Sequence, residues 1–223
     1  NKLRFKRYRM QSKIILLTTA ILIFVPAIFF FVCDFGQVSI GKRTLLSLFQ
    51  SVTTRTAGFN TADLSSMTEV GQAIMILLML MGGSPSSTAG GMKTTTVAVL
   101  LLNAFATFRS REDAGAFGRR FDSQVIKNAA TIAMLYFVLF FFGGITISVY
   151  EGLSLQLCLY EAASAVGTVG LTLGITPGLH ILSRLILIVL MYLGRVGGLT
   201  LIYAVVSRRN TNAKMPLEKI TVG

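Results

Sequence analysis

Polar residues divide this chain into apolar stretches of two lengths, and the two lengths alternate. Residues 14–33 form a run of 20 without a charge, enough for a helix to cross about 30 Å of hydrocarbon. Residues 129–150 form a second such run, and 185–206 a third that only Arg195 interrupts. Half-length apolar segments occupy 44–52 and 153–164, each followed by an irregular stretch containing Gly. Such a segment is too short to span a bilayer and too apolar to rest in water. It reads as a re-entrant loop, tolerated at membrane depth only where protein or a watery cavity surrounds it. The order helix, re-entrant helix plus loop, helix therefore occurs twice. In the first copy the returning helix is broken: 73–81 is apolar, 82–96 is rich in Gly, Ser and Thr, and 97–108 resumes a helical pattern. The returning helix of the second copy, 182–206, is predicted to be unbroken.

Composition agrees with a membrane protein. Hydrophobic residues make up 53% of the chain and charged residues 13%, with a mean hydropathy of +0.69. A soluble domain of this size would lack the polar surface to cover three such helices. The formal charge of +12 raises nucleic acid as a partner, but its placement answers otherwise. Lys2, Arg4, Lys6, Arg7, Arg9 and Lys13 precede the first long run; Arg109, Arg111, Arg119, Arg120 and Lys127 lie between the copies; Arg208, Arg209, Lys214 and Lys219 follow the last run. All three clusters fall on one side if each copy crosses an even number of times. Positive residues beside spans mark the cytoplasmic side, which predicts both termini inside a multi-pass cell-membrane protein and no nucleic-acid role. The predicted fold is all-α, with two tandem helix–re-entrant pore loop–helix modules. Residues 1–13 are a basic cytoplasmic segment, 14–110 the first module, 111–125 a cytoplasmic connection, 126–207 the second module and 208–223 a cytoplasmic tail. The chain opens on Asn1 without a cleavable leader pattern and reads as an excerpt of a longer polypeptide. Cys33 and Cys158 lack metal or redox spacing, and His180, which follows Pro177-Gly178 in a turn, is expected to have no partner of ligand type nearby and to lie at the surface or an interface.

Thr56-Ala57-Gly58-Phe59 and Thr168-Val169-Gly170-Leu171 are separated by 112 positions, and the same offset aligns Gly82 with Gly194 and Thr88 with Thr200. Each Thr-x-Gly turn follows a half-length helix. Backbone carbonyls strip water from a cation only if the chain comes close and points its oxygens inward, and Gly permits the conformations this needs. Neither turn carries a carboxylate, so neutral dipoles would select, favouring a monovalent ion over a tightly hydrated divalent one. Arg55 and Glu161 flank the turns and are expected to anchor them, with a cross-module salt bridge as one arrangement.

The segment Thr53-Thr54-Arg55-Thr56-Ala57-Gly58-Phe59-Asn60, with Gly82-Gly83-Ser84-Pro85-Ser86-Ser87-Thr88-Ala89-Gly90-Gly91-Met92-Lys93-Thr94, resembles the third repeat of the Trk/Ktr/HKT superfamily of potassium transporters. Thr168-Val169-Gly170-Leu171 and Leu193-Gly194-Arg195-Val196-Gly197-Gly198-Leu199-Thr200 resemble the fourth. The pattern is most similar to the membrane subunit (KtrB-like) of a bacterial Ktr potassium uptake system. The resemblance implies half of a four-module pore that carries potassium, with sodium as a candidate activator and no cofactor in this chain. It implies that backbone carbonyls of Thr56, Ala57, Gly58, Phe59, Thr168, Val169, Gly170 and Leu171 hold K+. It also implies a gate made by Gly82, Gly83, Ser84, Ser87, Thr88, Gly90, Gly91 and Lys93, with Arg195 beside it binding loop carbonyls. The implied partners are the first two repeats of the same transporter, a second copy in a homodimer, and a cytosolic nucleotide-binding regulatory ring (KtrA-like), all at a bacterial plasma membrane. Phe59-Asn60 and Leu171-Thr172 stand where potassium channels have Tyr-Gly, which leaves the potassium–sodium preference open.

Two other readings are weaker. An integral-membrane enzyme would need a His, Cys or carboxylate cluster at membrane depth, and no such pattern occurs. A secondary cation symporter with a broken-helix site would often show inverted repeats, whereas these copies run in the same direction.

Overall fold

The computed structural model describes residues 8–111 and 113–197. Expectations placed on 1–7 and 198–223, including Thr200, the basic tail and the far end of the last helix, lie outside the described residues. The element order is α1 (Met10–Cys33), α2 (Ile40–Thr53), α3 (Glu69–Leu80), α4 (Thr94–Phe108), β1 (Gly115–Ala116), β2 (Arg119–Arg120), α5 (Ser123–Glu151), α6 (Leu155–Val166) and α7 (Ile181–Val196). Helices α3 and α7 begin at positions 69 and 181, again 112 apart.

Helices α1 and α5 are the two long apolar spans, of 24 and 29 residues. Both expose large side chains along their length, among them Leu17, Ile21, Phe24 and Ile28 on α1 and Phe137, Phe141, Phe142 and Ile145 on α5. In a bilayer such faces rest against lipid or another apolar partner at no solvation cost. Their interiors are closed by local devices. The Asp122 carboxylate accepts the Gln124 amide at the start of α5 (3.1 Å), satisfying one of the first orphan N–H groups. Gly152, at φ 67°, ends α5 in the left-handed conformation.

Pro26 lies inside α1 without ending it. A proline ring displaces the carbonyl four residues earlier and supplies no N–H to it, so Leu22 loses its helical partner. The Ser51 hydroxyl of α2 fills the gap, donating to the Ile23 carbonyl (2.7 Å) and more weakly to that of Leu22 (3.2 Å). The re-entrant helix is thus docked on a place inside the outer helix where an acceptor is spare. At the end of α1, the Arg43 guanidinium donates to the Phe31 carbonyl (2.5 Å) and lies over the Phe31 ring, a cation at a helix C-terminus.

Helix α6 is the centre of the structure. Tyr160, Glu161, Ala162, Ala163, Ser164, Ala165 and Val166 are all buried, and α3, α5 and α7 pack around it. Its small side chains let backbones approach, the usual basis of helix association away from water. A Cβ on Gly194 of α7 would run into the Val166 carbonyl, and one on Gly167 into the Met79 carbonyl of α3. The contact of α3 with α6 joins the two modules.

Three expectations are corrected. Residues 111–125 are more than a connection: Gly115 and Ala116 pair antiparallel with Arg120 and Arg119 through a tight turn with Phe117 and Gly118 at φ 53° and 76°. Helix α7 is not continuous to 206; it stops at Val196, and Gly197 at φ 88° leaves the helical path. His180 does have a partner, since its Nδ1 lies 2.8 Å from Glu151 Oε2, tying the end of α5 to the start of α7.

The proline gap is testable in the intact protein in detergent. Ser51→Ala leaves the Leu22 carbonyl without a partner and removes the second bond to Ile23, at an expected cost of about 1 kcal/mol, read as a fall in thermal midpoint. Pro26→Ala restores the missing amide, so the double variant should recover most of that loss. Equal losses in single and double variants would disprove the compensation.

Candidate functional site: two Thr-x-Gly turns above an interrupted helix

Both turns follow the same backbone path. Thr56 and Gly58 have φ 70° and 75°, Thr168 and Gly170 have φ 51° and 94°, and Ala57 and Val169 between them keep ordinary negative φ. Positive φ at a β-branched residue is a genuine outlier. It stores on the order of 1–3 kcal/mol at each Thr and persists only where the surroundings over-determine it.

Hydrogen bonds supply that determination. The amides of Ala57 and Gly58 both donate to the Thr53 carbonyl (3.1 and 3.1 Å), and the Val169 amide donates to the Ser164 carbonyl (2.8 Å). The Gly170 amide reaches the Ser164 hydroxyl (3.2 Å). In a planar trans peptide, the carbonyl points opposite to the N–H of the next residue. The oxygens of Thr56, Ala57, Thr168 and Val169 therefore point away from α2 and α6. Among the described residues, none of these four accepts a hydrogen bond.

The turns are neighbours. The Thr56 hydroxyl donates to the Gly167 carbonyl (3.4 Å), and Gly58 faces the Val169 carbonyl so closely that a Cβ would overlap it. Gly170 has no such neighbour and needs glycine for its φ alone. Phe59 and Leu171 differ from each other. The Phe59 carbonyl is taken by the Thr53 hydroxyl (2.7 Å) and its ring is exposed, while the Leu171 side chain is buried. Thr53 and Ser164 were not singled out from the sequence. The available signal was a polar residue near the end of each half-length apolar helix.

Below the turns, α3 breaks after Leu80 and residues 82–93 form a loop before α4. The break is folded back on itself: the Met92 amide donates to the Leu80 carbonyl (3.0 Å) and the Thr94 amide to that of Gly83 (3.1 Å). Glycines are required where backbones touch, since a Cβ on Gly82 would meet the Gly90 carbonyl. Gly91, at φ 69°, lies against the Leu80 carbonyl, and Gly83 against Ser87 and Ala89. Ser84 accepts the Ser87 amide in a turn (3.1 Å). Gly90 is seated against the Thr168 side chain, whose hydroxyl is buried without a partner.

Three cations hold the carbonyls of this loop. Lys93 Nζ donates to Ala89 (2.6 Å) and Ser87 (3.3 Å). Arg195 Nη1 donates to Thr88 (2.8 Å), and Arg55 Nη2 to Gly82 (3.3 Å). The expected Arg55–Glu161 bridge is absent. Glu161 instead accepts from the Thr172 hydroxyl (2.6 Å), the Leu173 amide (3.0 Å) and the Thr176 hydroxyl (2.8 Å), fixing the chain beyond the second turn. Beyond the first turn, the Ser65 hydroxyl and amide hold the Asp63 carboxyl below the ordinary carboxylate range. Among the described residues, no three His, Cys, Asp or Glu gather as a metal centre. Among the described residues, the unpaired groups at the turns include the four carbonyl oxygens and the Thr168 hydroxyl, all neutral.

Residues 3–213 match the family model of TrkH, a cation transport protein. The potassium/sodium uptake protein NtpJ of Enterococcus hirae is 35% identical over 99% of this chain and 51% of its own. The Ktr system potassium uptake protein B of Bacillus subtilis is 32% identical over 99% of this chain and 51% of its own. The crystal structure of the potassium transporter TrkH from Vibrio parahaemolyticus shares the fold, with a TM-score of 0.70 over 88% of this chain and 44% of that one, at 20% identity. The chain spans about half the length of the curated relatives it matches.

The support beyond the second turn can be measured directly. Glu161→Gln replaces a double acceptor by a group with one donor end, leaving at least one of the three bonds unmade. The expected loss is about 2–3 kcal/mol, seen as a lower thermal midpoint of the intact protein. An unchanged midpoint would show that Glu161 does not carry the segment.

Proposed function

The chain belongs to the TrkH cation transport protein family, and from that premise we propose that it forms half of a potassium uptake pore. The observation that carries this reading is the orientation of the two turns. Four carbonyl oxygens, from Thr56, Ala57, Thr168 and Val169, turn away from the helices that hold their amides, in two adjacent turns of matching conformation. Ordered peptide oxygens of this kind replace the hydration shell of an alkali cation at little reorganisation cost. In this reading Gly58, Gly170 and the Leu171 carbonyl complete the lining, and Phe59 contributes mainly to the rim.

Two turns enclose only half of such a site. The remainder is supplied by two further modules of the same transporter, and the assembly is a homodimer in the bacterial plasma membrane with both termini cytoplasmic. A cytosolic nucleotide-binding ring docks on the basic face that carries Arg109, Arg111, Arg119 and Arg120. The names of the relatives, one a potassium/sodium uptake protein and one a Ktr potassium uptake protein, support K+ as cargo with Na+ accepted or activating. The loop 82–93 is the gate. It sits beneath the turns with Gly90 against Thr168, and Arg195 on its Thr88 carbonyl adds a positive charge that repels a cation while the loop is in place.

Flux of K+, Rb+ and Na+ through the intact transporter in liposomes tests both parts. Gly58→Ser and Gly170→Ser are expected to lower the preference for K+ over Na+ by about tenfold, the consequence of about 1.4 kcal/mol lost at one site. Gly58→Ser should be the more damaging, because it meets the Val169 carbonyl as well as strained φ. Unchanged preference in both variants would reject the filter. Arg195→Ala is expected to raise K+ flux several-fold at equal protein level, and wild-type flux would reject the clamp.

A further inference from the structure

The loop's third cation differs from the other two. Lys93 belongs to the loop and Arg195 to the helix beside it, but Arg55 stands directly before the first Thr-x-Gly turn. Its amide donates to the Val52 carbonyl (3.1 Å), closing α2, and the next residue is strained Thr56. Its side chain runs down to the Gly82 carbonyl (3.3 Å), where α3 breaks. The Arg55 Nε is buried and unpartnered. A half-buried guanidinium with one long hydrogen bond and a buried, idle Nε is costly in place. It is also suited to taking a different carbonyl when the loop moves.

We propose that Arg55 is the positioning residue that couples the gate to the filter. It grips the hinge of the loop at Gly82 from the base of the first turn, while Gly90 bears on Thr168 at the base of the second. The loop is then braced against both turns at once, and its displacement changes the geometry of Thr56 to Gly58 through the Arg55 side chain. By reciprocity of coupled equilibria, the ion in the filter biases the loop. This rests on the filter and gate roles proposed above, and it adds that the two are not independent.

The test uses the intact transporter with Cys33 replaced by Ser and a reporter thiol at Ser86, an exposed residue of the loop. Maleimide labelling of Ser86→Cys is measured in K+ and in Na+, alongside K+/Na+ flux. With Arg55 present, the labelling rate is expected to differ about fivefold between the two ions, the low end of coupling between sites. Arg55→Gln should abolish that difference and lower the flux preference together, and Arg55→Lys, which keeps the charge and most of the reach, should restore part of both. Ion-independent labelling with Arg55 in place overturns the coupling, whether or not the variants accumulate. So does Arg55→Gln that keeps wild-type labelling and preference. If the unmodified protein discriminates among ions but its labelling does not, only the coupling fails. If it carries no K+ at all, the pore reading fails with it.

Discussion

Everything in this structure follows from the scarcity of hydrogen-bond donors away from water. A backbone carbonyl at membrane depth must be paired inside the protein or be reserved for something that enters. Most are paired within the helices, and several that are not are met by side chains from elsewhere. The Leu22 carbonyl freed by Pro26 and the Ile23 carbonyl beside it are met by Ser51, those ending α1 by Arg43, and those of the interrupted helix by Arg55, Lys93 and Arg195. Against that background, the four unpaired oxygens of the Thr-x-Gly turns are conspicuous. They are unpaired because the amides beside them are tied to Thr53 and Ser164, which leaves the oxygens no direction but outward from the helices.

The module order and the turns were legible in the sequence because both depend on local pattern. Long and short apolar runs fixed the helix types, and the 112-residue offset reappears in the starts of α3 and α7. The break after Leu80 was legible because Gly, Ser and Thr replace apolar residues there. What could not be read depends on distant pairs. Ser51 looks like any polar residue on an amphipathic helix until α1 brings Pro26 against it. Arg55 and Glu161 were legible as anomalies, but charge complementarity suggested a bridge where each found neutral partners instead. The hairpin at 115–120 lacks the Asn-Gly or Asp-Gly signal, since Phe117 takes the left-handed position. The end of α7 was hidden because the apolar run continues past Gly197.

The strain at Thr56 and Thr168 also bears on function. A β-branched residue at positive φ is stable only while its surroundings enforce it. Those surroundings include the loop itself through Gly90 on Thr168 and Arg55 before Thr56. A turn held this way is rigid only while its brace is in position. The same arrangement disfavours a symporter with its binding site at the broken helix, because the break is occupied by its own pairing of Leu80 with Met92 and Gly83 with Thr94.

The two modules share a fold but divide the work unequally, and the division runs across their boundary. The interrupted helix belongs to the first module, yet the residue it sits under, Thr168, belongs to the second. Arg195 of the second module holds the tip of the loop at Thr88, while Arg55 of the first holds its hinge at Gly82. The contacts of Gly90 with Thr168 and of Thr88 with Arg195 cross the module boundary and would be lost if the modules separated, whereas that of Arg55 with Gly82 lies within the first module. The loop 82–93 thus draws its contacts from both modules, with Gly90 on Thr168 and Thr88 under Arg195, so that one segment of the first module is tied to the turn and to the last described helix of the second.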